Sequence, residues 1–158
     1  MIFSKKQSYM LAVSDGITAP ISEIPDEAFS RGLLGKGFAQ IPDSNIFKSP
    51  VSGTVDSIAK TKHAYSITTD TGLDVLVHIG VDTVDMNGDG FEPQVSEGER
   101  VKAGDTLAIA DISLIKARSL SPITAVLITN PEKIENIAYK YGLAKAGKDA
   151  AMYYSVKK

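Results

Sequence analysis

The stretch from residue 61 to residue 82, TKHAYSITTDTGLDVLVHIGVD, constrains the fold more than any other part of the chain. Apolar residues in its second half alternate with other residues, which predicts a β-strand with one buried face. The residues expected on that buried face are Leu73, Val75, Val77 and Ile79. The first half alternates as well, and the polar residues and glycine between the halves, DTG, predict the turn of a β-hairpin.

Both histidines of the chain, His63 and His78, lie in this hairpin. A two-residue loop at Asp70 and Thr71 would place position 63 directly across from position 78, so that the imidazoles share one sheet face. A bulge at Gly72 would shift the pairing by one residue, and the sequence leaves that alternative open. With the simple register, the two histidines form a candidate functional site.

Composition narrows the class of protein. Of the 158 residues, 43% are hydrophobic and 23% charged, and the formal net charge of −2 gives no basis for binding nucleic acid or an anionic membrane surface. The sequence has no cysteine, which excludes disulfides, thiolate catalysis and cysteine-ligated metal sites. No apolar run approaches the roughly 18 residues that span a bilayer. We therefore expect a cytoplasmic protein without direct membrane insertion.

Short alternating segments separated by glycine turns at spacings of about 8–12 residues predict an all-β fold. We expect an antiparallel β-sandwich or barrel-like arrangement with a few short helical turns. The segment SPVSGTVDSI is weakly similar to VSDGITAPI, and the tail GLAKAGKDAAM to VKAGDTLAIAD, which suggests internal duplication. Residues 1–11 are predicted to form an N-terminal arm, and residues 12–158 a single domain.

Three segments are predicted to be helical. Asp26 suits the N-cap of a single turn over residues 27–31, with Phe29 pointing inward. Residues 112–119 have an apolar spacing that fits about two helical turns. Residues 131–142 begin with proline and end with glycine, which predicts a third helix.

A pair of facing imidazoles allows several chemistries. The hydroxyl of Thr61 can bond one ring nitrogen of His63, and the carbonyl of Gly80 can do the same for His78, so that each ring presents its other nitrogen to a shared point. A zinc-dependent hydrolase would need a third ligand, for which Asp82 or Asp74 are the candidates. Phosphoryl transfer through a phosphohistidine needs two histidines and no metal. These alternatives stay open on the residues alone.

The same stretch, with GDGF following it, closely resembles the core of the glucose-family enzyme IIA domains of the bacterial phosphoenolpyruvate-dependent sugar phosphotransferase system. The similarity extends to IPDEAFSRGLLGKGFAQIP, SPVSGTVDSI, SEGERVKAGDTLAIAD and SPITAVLITN, and covers about residues 12–145. The resemblance implies an antiparallel β-sandwich. It also implies that His78 carries the phosphoryl group, that His63 stabilises it, and that Thr61 and Gly80 orient the two rings.

The resemblance further implies two partners: a histidine-containing phosphocarrier protein as donor and the IIB domain of a membrane sugar permease as acceptor. It predicts a partner surface that is apolar around the histidines and acidic at its rim. The residues predicted for this surface are Asp26, Phe29, Leu33, Leu34, Tyr65, Leu76, Asp82 and Val84. A monomer is expected, with no required cofactor, although a zinc ion bridging His63 and His78 at the contact with a regulatory target fits the family.

Two other classes of protein share part of these signals. EGERVKAGDTLAIAD resembles the strand–turn–strand signature of lipoyl- or biotinyl-type binding modules, which carry a modified lysine in contexts such as DKA or MKM, and neither occurs here. A zinc-dependent hydrolase using His63 and His78 is the second alternative.

Overall fold

The computed structural model describes residues 7–158, which form fourteen β-strands, two short α-helices and three turns of 3-10 helix. The strands are β1 (Gln7–Leu11), β2 (Gly16–Pro20), β3 (Lys36–Pro42), β4 (Ile46–Lys48), β5 (Gly53–Ile58), β6 (Ala64–Thr68), β7 (Asp74–His78), β8 (Phe91–Pro93), β9 (Arg100–Val101), β10 (Thr106–Ala110), β11 (Thr124–Ile128), β12 (Ile134–Tyr139), β13 (Gly142–Ala144) and β14 (Ala150–Val156). The helical elements are α1 (Glu27–Ser30), α2 (Ile112–Ala117) and the 3-10 turns Ile21–Glu23, Thr83–Met86 and Pro131–Lys133. Within this part of the chain, no helix is long and apolar enough to cross a membrane.

The strands form three antiparallel sheets. The largest has eight strands in the order β13-β2-β3-β11-β7-β6-β5-β9, and two three-stranded sheets have the orders β1-β14-β12 and β4-β10-β8. The predicted antiparallel all-β fold is confirmed. The sheets are open, so the barrel-like variant of that prediction does not form.

The hairpin β6–β7 lies inside the large sheet, flanked by β5 and β11. The apolar residues of its second half face the main core and are fully buried, as the alternation predicts. Each such side chain contributes about 1.5–3 kcal/mol to folding relative to an exposed one. His78 lies on the opposite face and is only half-buried, so the same alternation that anchors β7 also presents its histidine away from the core.

The turn of this hairpin differs from the simple prediction. Ala64 pairs with His78, and the amide of Thr69 donates to the carbonyl of Leu73 at 2.9 Å. The loop therefore has three residues and ends at Gly72, whose φ is +84°, a conformation that favours glycine. The two-residue loop, with the histidines directly across from each other, is wrong, and the shift by one residue at Gly72 is what forms.

The predicted helix over residues 131–142 is also wrong. Only Pro131–Lys133 form a 3-10 turn, after which the chain becomes β12 and pairs with the C-terminal strand β14. Asn136 has a φ of +55°, which interrupts a helix, and the pairing shifts register between Glu135 and Ala138. The apolar spacing of this segment is local, whereas the strand that pairs with it lies at the far end of the chain.

The other two helical predictions are confirmed. The predicted N-terminal arm over residues 1–11 does not extend to residue 11. α1 and α2 form where Asp26 and the spacing of residues 112–119 indicate. Residues 7–11, by contrast, form β1 and pair with β14, with Met10 and Leu11 buried. The predicted boundary at residue 12 therefore falls inside the fold, and residues 1–6 lie outside the described residues.

Candidate functional site

The two imidazoles meet at one end of the β6–β7 hairpin. His63 directly precedes β6 and His78 is the last residue of β7. Their ring centroids are 4.8 Å apart, with the ring planes at 85°, and the amide of Ile79 donates to the carbonyl of His63 at 2.8 Å. In the shifted register, His78 pairs with Ala64, so His63 is one residue out of line with it. Within a continuous sheet, the two side chains would therefore point to opposite faces. They meet because both strands end here, where the rings can come together past the last pair.

The imidazole of His78 is fixed by a backbone carbonyl. Its Nδ1 lies 2.9 Å from the carbonyl oxygen of Gly80. A carbonyl oxygen only accepts hydrogen bonds, so in the neutral ring Nδ1 carries the proton and Nε2 keeps its lone pair. Burial lowers the pKa of His78 below its ordinary value, although the Gly80 carbonyl and the carboxylate of Asp26 act in the opposite direction. The ring is therefore neutral at neutral pH, with a nucleophilic nitrogen available.

The carbonyl of Gly80 is itself held by a tight turn. Gly80 has a φ of +81°, and a Cβ at this position would lie 2.4 Å from Cγ2 of Thr83 and 3.0 Å from the carbonyl oxygen of Ser121. The hydroxyl of Thr83 donates to the carbonyl of Ile79 at 2.5 Å, and the amide of Val81 donates to Ser121 at 2.9 Å. The turn therefore requires glycine, and it aims the carbonyl at His78.

His63 is the more deeply buried ring, with 6% of its surface exposed. Its Nδ1 lies 2.8 Å from the hydroxyl oxygen of Thr61, and the ring of Phe91 packs edge-on at a centroid distance of 6.4 Å. Burial, and secondly the neighbouring His78, lower the pKa of His63 to about 4. If the hydroxyl of Thr61 donates to Nδ1, the proton of the neutral ring lies on Nε2, which becomes a hydrogen-bond donor beside His78.

The hydrogen bonds expected from Thr61 and Gly80 are thus both present. Helix α1 adds a contact on the other side of His78, because the ring of Phe29 lies 5.0 Å from the His78 ring at 54°. Phe29 is only 6% exposed. It supports the imidazole from within the protein and offers little surface to a partner.

Exposed apolar side chains lie on the segments that follow α1 and β7, the elements that contact and carry His78. The loop that follows α1 carries Leu33 and Leu34, which are 68% and 43% exposed, and the turn that follows β7 carries Val84, which is 49% exposed. Leu76 is half-buried, on the same face of β7 as His78, and Asp82 is exposed beside Val84. These five residues, Leu33, Leu34, Leu76, Asp82 and Val84, are called the apolar surface.

The prediction that Tyr65 belongs to the partner surface is wrong. Its side chain is fully buried in the main core, and its hydroxyl donates to the carbonyl of Lys62 at 3.0 Å. The alternation of β6 points Tyr65 to the core face, whereas His63 reaches the site only because it lies before the strand begins.

The residues present do not by themselves fit a resident zinc ion. Each imidazole has one nitrogen engaged, by Thr61 in one ring and by Gly80 in the other. Within residues 7–158, no group of three or more histidine, cysteine or carboxylate side chains is placed to hold a metal. Zinc sites in proteins usually take three or four protein ligands. Two histidines would need further ligands from another molecule.

Sequence reasoning did not identify three neighbours of the histidines. Phe91 packs against His63, and Ala125 and Ala64 lie beside His78 on the adjacent strands β11 and β6. Phe91 follows a glycine-rich turn, and Ala125 lies in a strand more than forty residues away along the chain. No local pattern relates either residue to the histidines, because only the sheet order brings them together.

Comparison with known proteins gives consistent matches. The family model described as phosphoenolpyruvate-dependent sugar phosphotransferase system, EIIA 1, matches residues 8–134. The glucose-specific EIIA component of Bacillus cereus is 40% identical over 135 residues, which cover 85% of this chain and 82% of the relative. The solved structure of glucose permease IIA from Mycoplasma capricolum superposes with a TM-score of 0.90 at 36% identity, and the match covers 97% of this chain and 99% of that one.

A longer relative is also similar. The glucose-specific EIICBA component of Streptococcus pneumoniae is 43% identical over 140 residues, which cover 89% of this chain. The match spans only 19% of that protein, so the chain corresponds to about one fifth of its length.

Proposed function

The chain belongs to the EIIA 1 family of the phosphoenolpyruvate-dependent sugar phosphotransferase system, and we propose that it carries the phosphoryl group on Nε2 of His78. Family membership makes it a phosphoryl-carrier subunit of a sugar phosphotransferase system. The observation that supports His78 as the carrier is the contact between its Nδ1 and the Gly80 carbonyl. This contact leaves Nε2 as the nitrogen with a free lone pair.

In the proposed first step, the donor is a phosphohistidine on the phosphocarrier protein. The lone pair on Nε2 of His78 forms the new N–P bond while the donor's N–P bond breaks, and that electron pair returns to the donor nitrogen. Positive charge develops on the His78 ring as it attacks, and the Gly80 carbonyl at Nδ1 stabilises it. Positioning and electrostatics supply the catalysis, because the bonds broken and formed are of the same kind.

His63 is proposed to stabilise the phosphoryl oxygens. With Thr61 donating to Nδ1, the Nε2–H group of His63 can donate to an oxygen of the group in transit. The low pKa of His63 suits this role. A neutral ring donates this hydrogen bond without holding the phosphoryl group as strongly as an imidazolium would, so onward transfer stays accessible.

The partners proposed for the apolar surface are the phosphocarrier protein and the IIB domain of a sugar permease. A small apolar centre excludes water from the transfer, and an acidic rim such as Asp82 attracts a basic partner. A surface of this kind suits brief docking followed by release. We further propose that the protein works as a monomer in the cytoplasm. Transfer of the phosphoryl group from the carrier protein to His78 is proposed to need no cofactor.

A two-stage transfer assay tests the separate roles of the histidines. Uptake is measured from the phosphorylated carrier protein, and onward transfer is measured to a IIB domain. His78→Gln should abolish both stages, because no nucleophile remains. His63→Gln should still take up phosphate but should fail in onward transfer. Full onward transfer by the His63→Gln variant would remove His63 from the mechanism.

A further inference from the structure

Helix α1 is held in place by the side chain of Asp26. Its Oδ1 accepts a hydrogen bond from the amide of Ala28 at 2.9 Å. Its carbonyl accepts from the amides of Phe29 and Ser30 at 3.1 and 2.9 Å. A four-residue helix has little intrinsic stability, so its geometry depends on this cap and on the packing of Phe29.

Small side chains on the sheet let α1 approach His78 closely. Three alanines from three adjacent strands pair in a row that ends at His78: Ala19 with Ala39, Ala39 with Ala125, and Ala125 with His78. The alanines are buried beneath α1, in one cluster with Phe29. Larger side chains in this row would lift the helix and move the Phe29 ring from the imidazole.

We propose that Asp26 and Phe29 are positioning residues for His78, with Asp26 fixing α1 and Phe29 fixing the imidazole through that helix. The Gly80 carbonyl holds His78 at Nδ1, and the Phe29 ring lies 5.0 Å from the imidazole. Together the two contacts restrict both the position and the tilt of the ring. This inference rests on the proposed role of His78 and adds to it how the ring is kept in place for attack.

Asp26 would have a different role if it belonged to the acidic rim of the partner surface. A rim carboxylate acts through its charge on a partner, so it changes docking. A cap acts through a hydrogen bond to Ala28, so it changes the position of the ring and leaves docking intact. The charge of Asp26 also acts directly on His78, where it opposes the lowering of the pKa by burial; glutamate keeps this charge and serine loses it. Serine can cap a helix without a charge, whereas glutamate keeps the charge and is a poor cap. The two roles can therefore be separated at one position.

The experiment compares Asp26→Ser, Asp26→Glu and Asp26→Ala with the wild-type protein. Single-turnover uptake from the phosphorylated carrier is measured over a range of carrier concentrations, giving a maximal rate and a half-saturating concentration. Since misplacing a reacting group can lower rates by up to about a hundredfold, we expect Ala and Glu to reduce the maximal rate about tenfold or more. The half-saturating concentration should stay unchanged, and Ser should retain most of the rate.

A matched control comes from the same helix. Glu27→Gln removes a neighbouring charge from a side chain that is exposed and plays no part in the cap, so it should leave both parameters unchanged. If Asp26→Glu is active and Asp26→Ser instead raises the half-saturating concentration, Asp26 acts through its charge on the partner and the proposal is overturned. A loss of maximal rate in Asp26→Ser equal to that in Asp26→Ala also overturns it.

A second readout does not depend on phosphoryl transfer. Nitrogen chemical shifts of the imidazole report its tautomer, and proton contacts between the rings report the distance of Phe29 from His78. Asp26→Ala should weaken the ring contact and mix the tautomers of His78, and Asp26→Ser should preserve both. If the wild-type protein takes up no phosphate, the proposed function fails while this comparison still decides the positioning role. Unchanged ring contacts and tautomers in Asp26→Ala would contradict that role.

Discussion

In the proposed mechanism, phosphoryl transfer depends on two imidazoles that are kept neutral and oriented by very short stretches of chain. Each ring is bonded at Nδ1 by a group two residues away in sequence, Thr61 for His63 and Gly80 for His78. Both rings have a pKa below the ordinary value, chiefly because of burial. Local sequence thus fixes which nitrogen each ring presents, and the fold supplies the burial.

The first prediction concerns the protonation of His63. A titration followed by imidazole nitrogen and proton shifts should give a pKa of about 4 for His63, and only two imidazoles need to be resolved. Because the unfolded chain takes up a proton near pH 6.5 and the folded ring does not, stability should fall as the pH drops from 6.5 towards 4. A pKa at or above 6.5 for His63 would contradict the described environment.

The second prediction concerns Gly80. Gly80→Ala introduces a Cβ that meets Thr83 and Ser121, at a φ of +81°. We expect a destabilisation of about 1 kcal/mol or more from the backbone conformation alone. The carbonyl that holds His78 should move, so phosphate uptake should fall by more than the loss of folded protein explains. Denaturant unfolding and uptake assays on the same sample separate the two effects. Undiminished uptake would show that the carbonyl contact is dispensable.

At the scale of elements, the hairpin β6–β7 shows what local patterns can and cannot predict. Alternation predicted both strands and the buried face, and the DTG turn was predicted from its residue types. The register depended on whether Gly72 adopts a positive φ, and both loop lengths suit that sequence. The segment 131–142 failed for a different reason: its apolar spacing suits a helix, but pairing with β14 decides its structure. Partners that are distant in sequence override local propensity.

The third prediction tests this register. Gly72→Ala should destabilise the protein by about 1 kcal/mol because φ is +84° there, while the space around the position can accept a Cβ. Thr71→Ser, at the exposed neighbouring position, keeps the hydroxyl that lies 3.0 Å from the hydroxyl of Thr69, so it is the matched control and should change stability little. Denaturant midpoints provide the measurement. Equal stability of the two variants would indicate the two-residue loop instead.

At the scale of the whole molecule, the site is assembled from elements that only the sheet order brings together. β7 carries His78, β11 and β6 place small residues beside it, and α1 covers it with Phe29. The sequence predicted the histidines and their hydrogen-bond partners because these are neighbours along the chain. The family resemblance placed Phe29 near the histidines but on an exposed partner surface, whereas it is buried, and it misplaced Tyr65, because burial is set by packing across the sheet.

The fourth prediction concerns the apolar surface. Leu33→Asp should raise the half-saturating concentration of the phosphorylated carrier, because it places a charge on a desolvated contact. Leu143→Asp is the matched control: Leu143 is 90% exposed, on the edge strand β13 four strands away from β7. Surface plasmon resonance or single-turnover kinetics can compare the two variants. An equal effect of both would place the docking surface elsewhere.

The proposed carrier atom, Nε2 of His78, can be identified directly by nuclear magnetic resonance. The protein is incubated with phosphoenolpyruvate and the two general phosphotransferase proteins, and the labelled imidazoles are examined by nitrogen and phosphorus nuclear magnetic resonance. One acid-labile phosphoryl group should be found, coupled to Nε2 of His78, and the His78→Ala variant should acquire none. Phosphate on Nδ1 of His78, on His63, or still acquired by His78→Ala would contradict the mechanism.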